Sequence, residues 1–380
     1  MRFTLKFTFI NSPGIEYLPQ KTIADALLEK ENNFDLLRLL AAFLVIFSHS
    51  YPITGFGWAE PIGKWTGYRD GGNFAVCIFF AISGFLVTRS LARNSVSAYL
   101  AARALRILPG LAVVVLVQTL VVGLIFTTLP APEYLAHPGT FDGLRSILVF
   151  DVRFALPGVF QGHPMDGVVN GSLWTLPIET GFYLLLPLLG LTTLLGSRRL
   201  WILLLVLAAA RASLQSFGID ETHPGPLAFK GASLYMALDF GLVFTMGAAL
   251  WVYRDFIPLS GGLAVCALLI LFAAAGTQAA PWAFYIAVPY LVIYLALARP
   301  VVSPAKYVGD ISFGVYLYAF PVQQLLFSLF DRAISPTRLT LCAIPLVVGC
   351  ALLSWRFVEA PALRLKRRIE AAAARKQLPG

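Results

Sequence analysis

Residues 38–50 read RLLAAFLVIFSHS, an apolar run of helical length with an arginine at one end and a histidine near the other. Leucine, valine, phenylalanine and alanine are enough to carry a helix across a bilayer, so neither polar residue is explained by insertion alone. The run belongs to a wider apolar stretch at 34–54, and similar stretches recur along the chain. Of the 380 residues, 58% are hydrophobic and 13% charged, and the mean hydropathy is +0.75. A soluble globular domain carries roughly 25% charged residues. Length alone would suit two or three soluble domains, but the spacing of the apolar runs points to one helical bundle with short loops. The fold expected is an all-α polytopic membrane protein of about ten transmembrane helices. The spans predicted are 34–54, 73–92, 107–129, 172–195, 199–216, 234–253, 260–279, 282–298, 312–330 and 338–358. Residues 1–33 read as a polar N-terminal segment with a short amphipathic helix at Thr22–Lys30, residues 34–358 as the transmembrane domain, and residues 359–380 as a basic tail. The longest loop, 130–171, carries Pro130, Pro132, Pro138, Pro157 and Pro164 and is expected to hold local order.

Lysine and arginine favour the cytoplasmic side of membrane proteins. With the N-terminus inside, 21 of the 29 basic residues fall on the inner side and eight, among them Arg69 and Arg211, on the outer. An N-in, C-in topology follows, in keeping with an even number of spans. The net charge of +9 therefore sits at membrane-facing ends and does not indicate nucleic acid. Cys77, Cys266, Cys342 and Cys350 lie inside apolar runs without the spacing of a metal site or a disulfide framework, and no cleavable signal peptide is evident.

Ionisable groups inside spans carry the functional information, since each costs roughly 2.5–3.5 kcal/mol to insert. Arg38 and His49 are eleven residues apart, about 20° past three full turns, so they share one helix face some 16 Å apart along the axis. His49 suits a general base lining a polar cavity, or a packing histidine with one donor and one acceptor. Arg38 suits a cavity cation or an anchor at the membrane edge, with Asp35 in pairing range. In NGSLWTLPIETGFYLLLP (170–187), Ser172, Thr175, Glu179 and Tyr183 also share a face. A carboxylate at the depth of Glu179 needs a partner, either His49 or an arginine. Arg89, Arg93, Arg103 and Arg106 lie in the inner loop TRSLARNSVSAYLAARALRILPG (88–110). Guanidinium forks match phosphate oxygens, so the cluster suits a pyrophosphate; it equally suits plain positive-inside topology. Asp239 belongs to a cavity or is a lone packing defect. Tyr316 and Gln323 share a face, with Tyr318 and Gln324 nearby, and suit an acceptor path.

Several stretches together resemble the membrane-bound acyltransferase family 3, which contains polysaccharide, lipopolysaccharide and Nod-factor O-acyltransferases. They are FDLLRLLAAFLVIFSHSYPI (34–53), IFFAISGFLVTRSL (78–91), AARALRILPG (101–110), NGSLWTLPIETGFYLLLPLL (170–189) and ISFGVYLYAFPVQQLL (311–326), in family order over residues 33–362. The resemblance implies a catalytic role for His49, with Arg38 as its paired functional arginine. It also implies that Arg103 and Arg106, joined by Arg38 and Arg89, handle an acyl-CoA, and that Glu179 is the motif acid. Ser172, Tyr183, Asp239 and Tyr316 are expected around the substrate cavity. Two positions depart from the family. Cys77 in AVCIFF replaces a common aspartate, whose role must pass to Glu179, Asp239 or Asp70 or be absent, and Ala319 stands where a late histidine is usual. No esterase-like domain is expected after the last span. The implied activity is O-acylation: an acyl group, acetyl foremost, passes from cytoplasmic acyl-CoA to a hydroxyl of a carbohydrate or lipid-linked glycan. The implied setting is the bacterial inner membrane, with acyl-CoA as co-substrate and neither a resident cofactor nor a metal. A proton-coupled transporter or flippase of lipid-linked sugars is the alternative.

Overall fold

The computed structural model describes residues 21–29, 31–191, 197–220, 223, 225–301 and 303–365. Most of the N-terminal segment (1–20), Lys30 and the tail from 366 onward lie outside the described residues. Of the expected N-terminal helix, one turn is present at Ile23–Ala26. Thr22 caps it in a reciprocal capping box with Asp25.

Each predicted span corresponds to a helix. These are α1 (Phe34–Ile53), α2 (Gly71–Leu91), α3 (Val96–Val117), α4 (Thr175–Leu191), α5 (Ser197–Ser216), α6 (Leu234–Val252), α7 (Gly261–Ala274), α8 (Ala280–Leu297), α9 (Ser312–Leu329) and α10 (Pro336–Ser354). Among the described residues, eight helical segments are long and apolar enough to cross a membrane. The exceptions are instructive. α7 has 14 residues and reaches only about 21 Å, short of a hydrocarbon core of roughly 30 Å. α9 is long enough, but it carries Ser312, Tyr316, Tyr318, Gln323 and Gln324, all buried inside the bundle.

Three boundaries differ from the sequence reading. α3 starts at Val96, eleven residues before the predicted span, and runs on through a π turn at Gln118–Val122 to Phe126. Arg103 and Arg106 therefore lie on a helix rather than in a loop, while Arg89 is in the last turn of α2 and Arg93 sits in the turn between the two helices. Alanine, leucine and arginine are strong helix formers, Ser95 caps the start by accepting from the Ala98 amide, and Pro109 is accommodated within the helix. α10 likewise continues through a π turn at Trp355–Glu359 to Leu365, so helix extends past the predicted end at 358. α7 stops five residues short of its prediction.

α2 is central and packs on α1, α6 and α8. Its crossing with α6 brings the two backbones close together. A Cβ on Gly84 would run into the Phe244 carbonyl, and one on Gly247 into the Ala81 carbonyl. Small residues at a crossing let two membrane helices come together in this way.

The long loop is ordered as expected. Tyr134, Leu156, Val159, Phe160 and Val169 form an apolar cluster of its own. Several side-chain hydrogen bonds tie it to the bundle, among them those of Tyr134 and His163. The Tyr134 hydroxyl donates to the Thr119 carbonyl at 2.8 Å. His163 donates through Nδ1 to Gln324 Oε1 at 2.8 Å, and its Nε2 lies 2.9 Å from Ser328 Oγ. Burial pushes the His163 imidazole below its ordinary pKa, which favours the neutral ring this pairing needs.

Candidate active site: two cavities along one helix

α1 carries Arg38 near its N-terminal end and His49 near its C-terminal end, and each faces a cavity. The larger cavity, about 310 Å³, is lined by Arg38, Arg103, Arg106, Ser83, Glu179, Tyr183 and Asp310, among others. The smaller, about 160 Å³, is lined by Val45, His49, Asp70, Gly72, Asn73, Trp174 and Met236. Val76 of α2 and Tyr316 of α9 line both. The shared helix face read from the Arg38–His49 spacing is thus present, but its two residues open into neighbouring chambers.

In the smaller chamber His49 is held by packing rather than by hydrogen bonds. Its ring meets Phe320 edge to face at 5.4 Å between centroids, and Nδ1 is buried without a hydrogen-bond partner. Phe320 reaches this position because residue 171 is glycine: a Cβ there would stand 2.7 Å from the Phe320 ring. Gln323, expected on an acceptor path, instead clasps α1, donating to the Ile46 carbonyl at 2.7 Å and to Ser50 Oγ at 2.8 Å. Asp70 supplies the negative charge that acts on the imidazole. It is also the N-cap of α2, accepting from the Asn73 amide at 2.7 Å. Its neighbour Glu60, buried, accepts from the amides of Gly63 and Gly71 at 2.5 and 3.1 Å. The start of α2 is therefore fixed, and the Asp70 carboxylate with it.

The larger chamber divides into two sets of groups. At its mouth Asp310 accepts from Arg106 at 2.6 Å and lies 3.7 Å from Arg38, while Glu359 lies 3.7 Å from Arg106 and Asp35 lies 3.6 Å from Arg38. Burial alone would raise the Asp310 carboxyl, but Arg106, Arg38 and the Ser312 donors hold it below the ordinary range, so it stays ionised. Arg38 and Arg106 thus already have carboxylate partners. Deeper in, Glu179 accepts from Ser83 Oγ at 3.1 Å and from the Tyr183 hydroxyl. Arg103 stacks over the Tyr183 ring at 5.8 Å. Its Nε is buried without a hydrogen bond, and it forms no ion pair among the described residues.

Several expected residues lie elsewhere. Glu179 lines the arginine cavity, not that of His49; the acid beside His49 is Asp70, because the α2 N-cap, not the second turn of α4, comes to that level of α1. Arg89 does not line the cavity: with Arg93 and Arg254 it stacks around Trp251, at 5.7, 6.0 and 4.2 Å. Asp239 lines neither cavity. It is buried between Arg69 and Arg211, which it ion-pairs, and accepts from the hydroxyls of Tyr68 and Tyr285. Ser172 also lines neither, but its carbonyl accepts from Tyr316 at 2.5 Å. Tyr183 and Tyr316 are in place. Asp310 and Glu359 went unread because each looks like an interfacial acid until a distant arginine is brought to it.

Comparison with known proteins makes this multi-pass helical chain an acyltransferase. Residues 31–356 match the model of the acyltransferase domain of family 3, and the chain belongs to that family. It is 32% identical over 338 residues to an O-acetyl transferase of Shigella phage Sf6, covering 87% of this chain and 96% of that protein. It is also 32% identical over 365 residues to nodulation protein 10 of Rhizobium leguminosarum bv. viciae, covering 90% and 95%. Acyltransferase MdmB of Streptomyces mycarofaciens is 28% identical over 331 residues, covering 78% and 82%. No solved structure matches the chain.

Proposed function

We propose that the protein transfers an acetyl group from acetyl-CoA, bound from the cytoplasmic side of a bacterial inner membrane, to a hydroxyl of a cell-envelope or lipid-linked glycan. The observation that carries this reading is the pair of chambers that share Val76 and Tyr316 in their walls, one with a cation that has no carboxylate partner among the described residues and one with a histidine beside a carboxylate. The name of the phage relative supports acetyl and an oxygen acceptor.

Arg103 takes a phosphate of the donor, since its guanidinium is not already neutralised as those of Arg38 and Arg106 are. The latter two, held by Asp310, brace the mouth. The thioester end reaches the smaller chamber. There His49 removes the proton from the acceptor hydroxyl as its oxygen attacks the thioester carbonyl. The tetrahedral intermediate collapses, the carbon–sulfur bond breaks, and the proton passes from His49 to the departing thiolate. Asp70 stabilises the imidazolium formed between those steps.

Membranes containing the protein, given acetyl-CoA labelled in the acetyl group, should place label in extractable glycan or lipid-linked glycan. Label that stays in acetyl-CoA and free acetate counts against the proposal. A charge-assisted hydrogen bond contributes about 1.5–3 kcal/mol, so Arg103→Gln should raise KM for acetyl-CoA by roughly 10- to 150-fold with a smaller change in kcat. An unchanged KM would remove Arg103 from the donor site.

A further inference from the structure

We propose that the side-chain amide of Asn73 is the oxyanion donor of the transfer, with the Trp174 indole N–H as the second donor. The inference rests on the acyl-transfer reading above. As the acceptor oxygen attacks the thioester carbon, the carbonyl π pair moves onto the carbonyl oxygen. That oxygen stays anionic until the pair returns and the carbon–sulfur bond breaks. Preorganised donors aimed at such a charge are usually the largest single contribution to catalysis.

The smaller chamber holds few groups able to do this. Arg38, Arg103 and Arg106 line the larger one. Around His49, three other side chains can donate a hydrogen bond to an oxygen: Tyr316, Asn73 and Trp174. The Tyr316 hydroxyl is committed to the Ser172 carbonyl at 2.5 Å, with Thr175 Oγ1 2.6 Å away. Asn73 gives its backbone amide to Asp70, but its side-chain amide has no hydrogen-bond partner among the described residues. The Trp174 ring packs against Phe240, 5.5 Å between centroids, and its N–H likewise has no partner among the described residues.

Both donors are held by the fold. Gly72, next to Asn73, packs α2 against α1: a Cβ there would stand 3.4 Å from Ser48 Oγ, one residue before His49. Asn73 is therefore fixed at the histidine's level by the same stretch of backbone that Asp70 and Glu60 pin. Trp174 ends a short 3-10 turn (Gly171–Trp174) that leads into α4. Asp70 makes the donors necessary. Its charge favours an imidazolium but opposes an anion in the same chamber, and N–H groups at the carbonyl oxygen offset that opposition.

The test measures label transfer from acetyl-CoA in membranes holding the full chain. Asn73→Ala keeps the backbone amide that Asp70 caps. It should lower kcat by about 10²–10³-fold, the usual loss of one oxyanion donor, with KM for acetyl-CoA little changed. The pH midpoint of kcat should stay at its wild-type value, because His49 and Asp70 are untouched. Asn73→Asp, of equal size, should lose at least as much as Asn73→Ala, since a carboxylate repels the oxyanion. A residue that only held the acceptor's hydroxyls would behave the other way, because a carboxylate accepts from them too. An aspartate variant faster than the alanine variant therefore overturns the proposal, as does a pH midpoint that moves. Trp174→Phe keeps a ring against Phe240 and removes only the N–H; it should lower kcat by a comparable factor, and it gives the reading if neither Asn73 variant accumulates. Wild-type kcat in these variants overturns the oxyanion assignment alone. Wild-type protein that transfers no label overturns the acyl-transfer reading and this proposal with it.

Discussion

His49→Ala should lower acyl transfer by about 10²–10⁴-fold, the usual contribution of a general base, while the protein remains in the membrane at its normal level. The second half of that expectation comes from the packing. Nδ1 has no hydrogen-bond partner, so removing the ring strands no buried donor or acceptor elsewhere. What is lost is the edge contact with Phe320 and the wall of an existing cavity. Activity and stability should therefore separate cleanly at this residue. Asp70→Asn is the companion variant. Asparagine caps a helix about as well as aspartate, so the start of α2 should hold while the negative charge beside the imidazole disappears. Transfer should fall by about 10²-fold or more if that charge stabilises the imidazolium. Both variants are read by the rate of label transfer from acetyl-CoA and by immunoblot of washed membranes. A normal rate in the His49 variant would end the general-base mechanism. A normal rate in Asp70→Asn alone would leave His49 acting without a carboxylate.

The helices were legible because apolar runs of membrane length have few alternatives, and the Arg38–His49 face was legible because one helix carries both residues. Helical arithmetic works within an element. It failed where position depends on a partner far along the chain. Arg69 and Arg211 count as outer-side cations in the sequence, yet both are fully buried and meet at Asp239. Arg106 suggests a phosphate ligand until Asp310, just before α9, and Glu359, past the end of α10, are brought to it. The segment before Pro109 read as a basic loop because proline and charge outweighed the helix propensity of Ala, Leu and Arg around them. A clearer signal was available for Asp70. An aspartate followed by two glycines and an apolar run is a helix N-cap, and it falls shortly after the histidine's own helix ends, which brings it back to the level of His49. It entered the sequence reading only as one of three possible replacements for the missing aspartate at Cys77.

Asp239→Asn should destabilise the folded bundle by roughly 3–5 kcal/mol, the usual consequence of removing one partner from a buried ion pair. Arg69, Arg211 and Asp239 together carry one net positive charge inside the protein, and the substitution raises it to two at a buried site. Two tyrosine hydroxyls that now donate to the carboxylate, from Tyr68 and Tyr285, would also face a weaker acceptor. Arg211→Met is the informative contrast. It takes the cluster to neutrality and replaces the guanidinium by an apolar chain of comparable length, so its cost should be smaller despite the lost bonds to Gln215 and Tyr235. The four free cysteines, Cys77 among them fully buried, provide the readout: a thiol-reactive dye followed during heating of detergent-solubilised protein reports unfolding directly. The Tm should fall further for Asp239→Asn than for Arg211→Met. If Asp239→Asn instead keeps the wild-type Tm and loses only acyl transfer, Asp239 belongs with the substrate-facing residues after all. Its burial between two arginines would then be the arrangement that tunes it for that role rather than a brace of the fold.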